Sequence, residues 1–357
     1  MEVFILKTTK STMIKSNTEK REVQFELLRI LAMCGVLMNH VFNYGLHIYE
    51  DFRIDVSSPF GFILWSVLEV MKLIALPSVN CYVLITGYFL IEKTELRLKG
   101  IWKIWSTTWF YAVGIYLLAV LIGIRSFKWN ELITHATPLL SNSFWFVTSY
   151  IILLLFAPLI SICMQHLSKR QYQLLLLIYG IICFQPLLGQ FVMDNNQILL
   201  FTYLFMIGGY IKLYADTLSG RKIFLSFLFI LIIMYAYTLF KNILLSNSDY
   251  TIYAMAYHGL VLPLSVALFI AFKNLKIEYK FIRKIILLIA PCSFAVYIIH
   301  TQSIVDVWLW KNVTEWLYSI PVYMLPLACI IVTLSVFSIG VCIDYIRIRI
   351  SHFNFYR

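Results

Sequence analysis

Residues 25–40 read FELLRILAMCGVLMNH. The run is apolar enough to enter a bilayer, yet it carries Glu26 and Arg29 at one end and Asn39 and His40 at the other. An α-helix turns 100° and rises 1.5 Å per residue, so eleven residues bring the chain back to within about 20° of the same face and about 16 Å higher. Arg29 and His40 are therefore predicted to lie on one stripe, which Asn43 and His47 extend. Glu26 precedes Arg29 by three residues and can pair with it. Ionisable groups are costly against lipid, so this stripe should face the interior of a bundle or a wet cavity.

The rest of the chain fits that reading. Of 357 residues, 61% are hydrophobic, 17% aromatic and 13% charged, against about a quarter charged in a soluble domain. Mean hydropathy is +0.81. Apolar runs of roughly 20 residues recur throughout, the pattern of transmembrane helices. Ten spans are predicted: 26–46, 64–90, 101–123, 143–163, 172–189, 197–213, 223–241, 251–272, 284–303 and 322–343. The fold class is all-α, a polytopic membrane helix bundle of about ten transmembrane helices. Residues 1–24 and 346–357 are read as cytoplasmic tails and residues 25–345 as the integral domain. No cleavable signal peptide is evident, and Met13 offers a second candidate start.

The net charge of +11 raises nucleic acid as a partner, but the positions of the charges oppose it. With the N-terminus inside, 23 of the 29 Lys and Arg residues fall in inner segments, five in outer ones, and Lys72 within an apolar run. That bias is an orientation signal and places both termini in the cytoplasm. The seven cysteines lie in or beside apolar runs and suggest neither a disulfide framework nor a metal site. No internal repeat is visible, which weakens a transporter reading.

Several residues carry chemistry. His40 has an unperturbed pKa near neutrality and can accept and return a proton, or attack as a nucleophile. A structural, hydrogen-bonded histidine with a snorkelling Arg29 is the plain alternative. His300 shares a face with Ser293 and Tyr297. Glu69 and Lys72 form an i,i+3 pair, Trp145 and Tyr150 open the fourth span from outside, and His258 accompanies Tyr253 and Tyr257. Asn312-Val-Thr314 matches a glycosylation triplet, a weak signal.

Glu-x-x-Arg followed by ten residues and His in the first of ten spans resembles the acyltransferase type 3 family of integral membrane glycan acyltransferases. NCYVLITGYFL (80–90), NSFWFVTSYIILLLFAPLI (142–160) and SFAVYIIHTQSIV (293–305) resemble further segments of that family in the same order. LRLKGIWKIW (96–105) departs from it, with Arg97, Lys99 and Lys103 where the family often carries an Arg-x-x-Arg pair.

The resemblance implies an acyl-coenzyme A donor, usually acetyl-CoA, in the cytoplasm. It also implies a glycan or lipid-linked sugar acceptor outside, with no metal. Arg29, Arg97, Lys99 and Lys103 would hold the donor, His40 would be catalytic, and Glu26, Asn43, Trp145, Tyr150, Tyr297 and His300 would contact or support the substrates. The expected partners are membrane lipids and these substrates, in a multi-pass cell-membrane protein. A carrier or flippase for a lipid-linked glycan is the competing reading. It shares the spans and the basic inner face.

Overall fold

A computed structural model describes residues 22–46, 54–141, 143–183, 197–215, 220–240 and 259–354, with side chains to residue 350. All regular structure among them is helical: the protein is a polytopic helix bundle. His47, Tyr253, Tyr257 and His258, and much of the 47–60 loop, lie outside the described residues.

The helices are α1 (Val23–His40), α2 (Pro59–Ala75), α3 (Ser78–Leu90), α4 (Leu98–Leu121), α5 (Trp129–Ala136), α6 (Trp145–Gln165) and α7 (Lys169–Cys183). They continue as α8 (Gln197–Tyr214), α9 (Gly220–Leu239), α10 (Val261–Lys273), α11 (Lys280–Ile289), α12 (Ser293–Thr301), α13 (Ser303–Ser319) and α14 (Leu325–Asn354). Among the described residues, eight segments are long and apolar enough to cross a membrane: Val23–Gly45, Pro59–Leu90, Leu98–Leu121, Trp145–Gln165, Gln197–Tyr214, Gly220–Leu239, Lys280–Thr301 and Val322–Ile350. Of the ten predicted spans, that at 251–272 is represented by α10, a shorter apolar helix, and that at 172–189 by the 15-residue α7.

The second span is longer than expected and is broken. Pro77 has no N–H to donate and its ring clashes with the preceding turn, so α2 ends at Ala75 and α3 restarts at Ser78. The Ala75 carbonyl at the break accepts from Ser78 Oγ at 2.5 Å and from Asn39 Nδ2 at 3.0 Å. This ties the break to the turn of α1 that carries His40. The predicted outer segment after 303 also differs. It holds α13, whose N-cap is Gln302: its Oε1 accepts from Ile304 N at 2.8 Å and Val305 N at 3.3 Å.

α1 is the central element, packing against α2, α3, α10, α11, α12 and α14. Phe25, Leu28, Met33 and Leu37 are buried in the main core with Leu84, Phe205, Phe269 and Val296. α3 and α8 approach closely: a Cβ on Gly87 would meet Phe205 O at 2.1 Å, and one on Gly208 would meet Leu84 O at 2.3 Å. Small residues at facing positions let two apolar helices gain dispersion contacts where lipid offers no hydrophobic drive. At the far end of α1, the chain widens into a π turn over Val41–Gly45, and α13 packs on it. Thr314 Oγ1 donates to Tyr44 O at 3.0 Å.

Candidate active site

The centre of the site is a pair of imidazoles. His40 ends α1, and His300 lies near the end of α12 with 1% exposure. His40 Nδ1 and His300 Nε2 are 3.1 Å apart, and His300 Nδ1 is 2.7 Å from the Val296 carbonyl. A carbonyl only accepts, so His300 carries its proton on Nδ1. With both rings neutral, His300 Nε2 is then the acceptor and His40 Nδ1 the donor. The free lone pair falls on His40 Nε2. A chain from carbonyl to imidazole to imidazole thus fixes the tautomer of the outer ring, as a carboxylate does in a catalytic triad.

Aromatic rings wall the pair. Tyr44, from the π turn, and Trp310, from α13, lie 5.1 and 6.0 Å from the His40 ring centroid. Trp310 Nε1 donates to Asp306 Oδ1 at 3.0 Å, one turn earlier, which holds the indole in place. Neither Trp310 nor Asp306 was predicted, because the segment reads as a loop until α13 folds against the π turn. Burial raises the Asp306 carboxyl above its usual range, and the Trp310 bond opposes that rise.

At the other end of the stripe, Arg29 Nη1 donates to Glu26 Oε1 at 2.7 Å, the predicted pair. Arg29 lines a cavity of about 300 Å3 with Lys93 and Arg97. Thr86, Tyr150, Leu154 and Pro158 form other parts of its wall. Tyr82 donates to the Arg29 carbonyl at 2.7 Å, and Thr86 Oγ1 is 2.7 Å from Tyr150 Oη. Lys93, Tyr82 and Thr86 were missed as site residues. Lys93 had signalled only orientation, and the two hydroxyls sit inside an apolar run.

The structure separates groups that the sequence had joined. Lys99 and Lys103 are near Arg97 in sequence but do not line the cavity, because on α4 their side chains leave it on other faces. Trp145 and Tyr150 also part: Tyr150 turns into the Arg29 cavity, while Trp145 is 39% exposed and packs on Phe146 and Phe201. Asn43 lies half-buried in the π turn. Tyr297 is buried between Phe146 and His300, with ring centroids 5.6 and 5.9 Å away. Glu69 and Lys72 are both buried, with Lys72 Nζ 3.7 Å from Glu69 Oε2.

The interval between the Arg29 cavity and the histidines is filled rather than open. Tyr150 stacks on Phe146 at 5.5 Å, and Phe146 meets Tyr297, which meets His300. A second cavity, of about 360 Å3, lies against Gln302 and α5; no described residue lines both cavities, and neither histidine lines this one.

No curated protein and no solved structure matches this chain. Residues 22–344, nearly its whole length, match the family model described as an acyltransferase domain, that of acyltransferase type 3, and the chain belongs to that family: it is a membrane acyltransferase.

Proposed function

We propose that the protein moves an acyl group, in the first instance acetyl, from acyl-coenzyme A to a hydroxyl of a surface or exported polysaccharide, with His40 as the base. The observation that carries this reading is the His40–His300–Val296 relay, which leaves His40 Nε2 as a lone pair aimed by two hydrogen bonds. Both termini and the Arg29 cavity face the cytoplasm in this proposal, as the distribution of Lys and Arg supports.

The donor's phosphates would meet Arg29, Lys93 and Arg97, which outnumber the one carboxylate of the lining, Glu95. The thin pantetheine arm would point along α1 toward His40, some 16 Å above Arg29. Phe146 and Tyr297 would have to swing aside for the thioester to arrive. In the direct route His40 Nε2 takes the proton of the sugar hydroxyl, whose oxygen attacks the thioester carbonyl. The C–S bond then breaks, and the proton passes from Nε2 to the departing thiolate. In the alternative route Nε2 attacks first and an acyl-imidazole is handed to the sugar. Both routes give an ester and free coenzyme A.

Inverted and right-side-out membrane vesicles supplied with radiolabelled acetyl-CoA test the reading. Label should enter glycan only when donor is given on the face bearing the termini, and His40→Ala, at equal expression, should abolish it. Unchanged labelling in that variant overturns the role of His40. Glycan movement with no acyl donor would instead favour a carrier.

A further inference from the structure

One wall of the cavity beside Gln302 is polar, and Phe144 and Ile304 supply apolar lining. Asn130, Glu131, Thr134 and His135 stand on one face of α5 and line it. Gln302 and Ser303 face them from the start of α13, and Arg125 enters from the α4–α5 connection. The wall is braced. Tyr116, fully buried, donates to Lys128 O and accepts from Lys128 N, both at 2.9 Å, which pins the N-cap of α5. Its ring packs on His135 at 4.9 Å.

Gln302 is the telling residue. It is fully buried, and its Oε1 is consumed by the α13 cap. Its Nε2 has no hydrogen-bond partner among the described residues. A buried, unmet N–H donor is uncommon in a finished fold and calls for a partner. It sits two residues beyond His300 in the chain, at the junction of α12 and α13, although neither His300 nor His40 itself lines the cavity.

The chemistry of the wall narrows the ligand. Amide, hydroxyl, imidazole, carboxylate and guanidinium groups offer donors and acceptors in mixture. A strongly anionic ligand would meet Glu131, although Lys128 pairs with that carboxylate at 3.0 Å and Arg125 lines the same wall, and an apolar ligand would strand most of these groups. Sugar hydroxyls, each both donor and acceptor, match the mixture. The geometry points to this cavity as the acceptor site, holding a sugar ring of the glycan with Gln302 Nε2 donating to one of its oxygens. This rests on the proposed acyl transfer for its purpose, though sugar binding can be measured without it.

The test is saturation-transfer NMR on the full chain in nanodiscs, with no acyl donor present. The probes are a panel of methyl glycosides: hexoses, N-acetylhexosamines and hexuronic acids. At least one should bind, and its dissociation constant should rise tenfold or more in Gln302→Glu. That substitution keeps an oxygen to cap Ile304 and Val305 but removes the N–H donor. Asn130→Ala, on an exposed helix, should raise the constant several-fold and stands in if Gln302→Glu does not fold. Lys311→Ala, exposed on α13 and outside the cavity, is the control. Absence of binding by every sugar, or equal affinity in both cavity variants and the wild type, overturns the site. Sugar binding without label transfer from acetyl-CoA would leave the site standing and defeat the proposed transfer from acetyl-CoA to glycan. Label transfer without sugar binding here would do the reverse.

Discussion

His40 Nδ1 lies 3.1 Å from His300 Nε2, although 260 residues of chain separate them. The contact joins the end of α1 to the end of α12, and the Val296 carbonyl behind His300 gives it a direction. An imidazole so oriented presents one defined nitrogen to a substrate, which a free histidine, exchanging tautomers, does not. This is the arrangement from which the expected behaviour of variants follows.

Removing the inner ring should disable the outer one without removing it. His300→Ala is expected to lower kcat by roughly 10²-fold, the low end of what a positioned base contributes, because His40 can then adopt either tautomer. His300→Gln, whose Oε1 can accept from His40 Nδ1, should recover part of the loss. A glutamine variant no better than alanine would count against the relay.

Arg29 should govern the donor. Arg29→Ala is expected to raise the KM for acetyl-CoA by about tenfold or more while leaving the KM for glycan nearly unchanged, with Arg29→Lys intermediate because it loses the fork but keeps the charge. Equal donor KM values in variant and wild type would refute the assignment. Lys99→Ala, outside the cavity, should change donor KM far less than Arg97→Ala.

A buried lock at the Arg29 end should matter to stability rather than chemistry. Asp344, 1% exposed, accepts from Tyr111 Oη at 2.8 Å and from Arg347 Nε at 2.6 Å, tying α14 to α4. Tyr111→Phe removes one donor from a buried carboxylate and should cost about 1–3 kcal/mol. Thermal denaturation in detergent should show the loss, with the donor KM unaltered.

α5 should respond to acid. Burial against Tyr116 lowers the His135 pKa below its usual value, and Glu131 only partly offsets this. The unfolded chain then binds this proton more readily than the folded one, so the contribution of His135 to stability is present above the ordinary histidine pKa and is lost as pH falls through and below it. Melting temperature should therefore drop more between pH 7.5 and pH 5.5 in the wild type than in His135→Gln. Parallel curves for the two proteins would remove His135 as the cause.

Much of this was legible from residue spacing. Membrane helices must satisfy their own backbone groups, so apolar run length alone gives the bundle. A polar residue is tolerated there only on an interior face, so the spacing of Glu26, Arg29 and His40 shows which face of α1 turns inward. The pair Glu26–Arg29 follows from one turn of helix. α13 was not legible, because a segment with Asp306, Lys311 and Glu315 has too many charges to signal a span. It is held in place by contacts with the π turn. That Tyr150 lines the Arg29 cavity and Trp145 does not was not legible either, since nearness in sequence says nothing of the direction a side chain takes to reach Thr86.

Local periodicity and the cost of polar groups in lipid are enough to specify the helical membrane bundle, the inward stripe on α1 and the basic character of one end. Three facts come instead from packing: His300 supplies the partner of His40, Lys93 and Arg97 but not Lys99 share a cavity with Arg29, and Gln302 keeps a donor unmet among the described residues beside the α5 cavity. Those facts depend on where distant helices cross, and crossing is set by the packing of side chains that no linear spacing records.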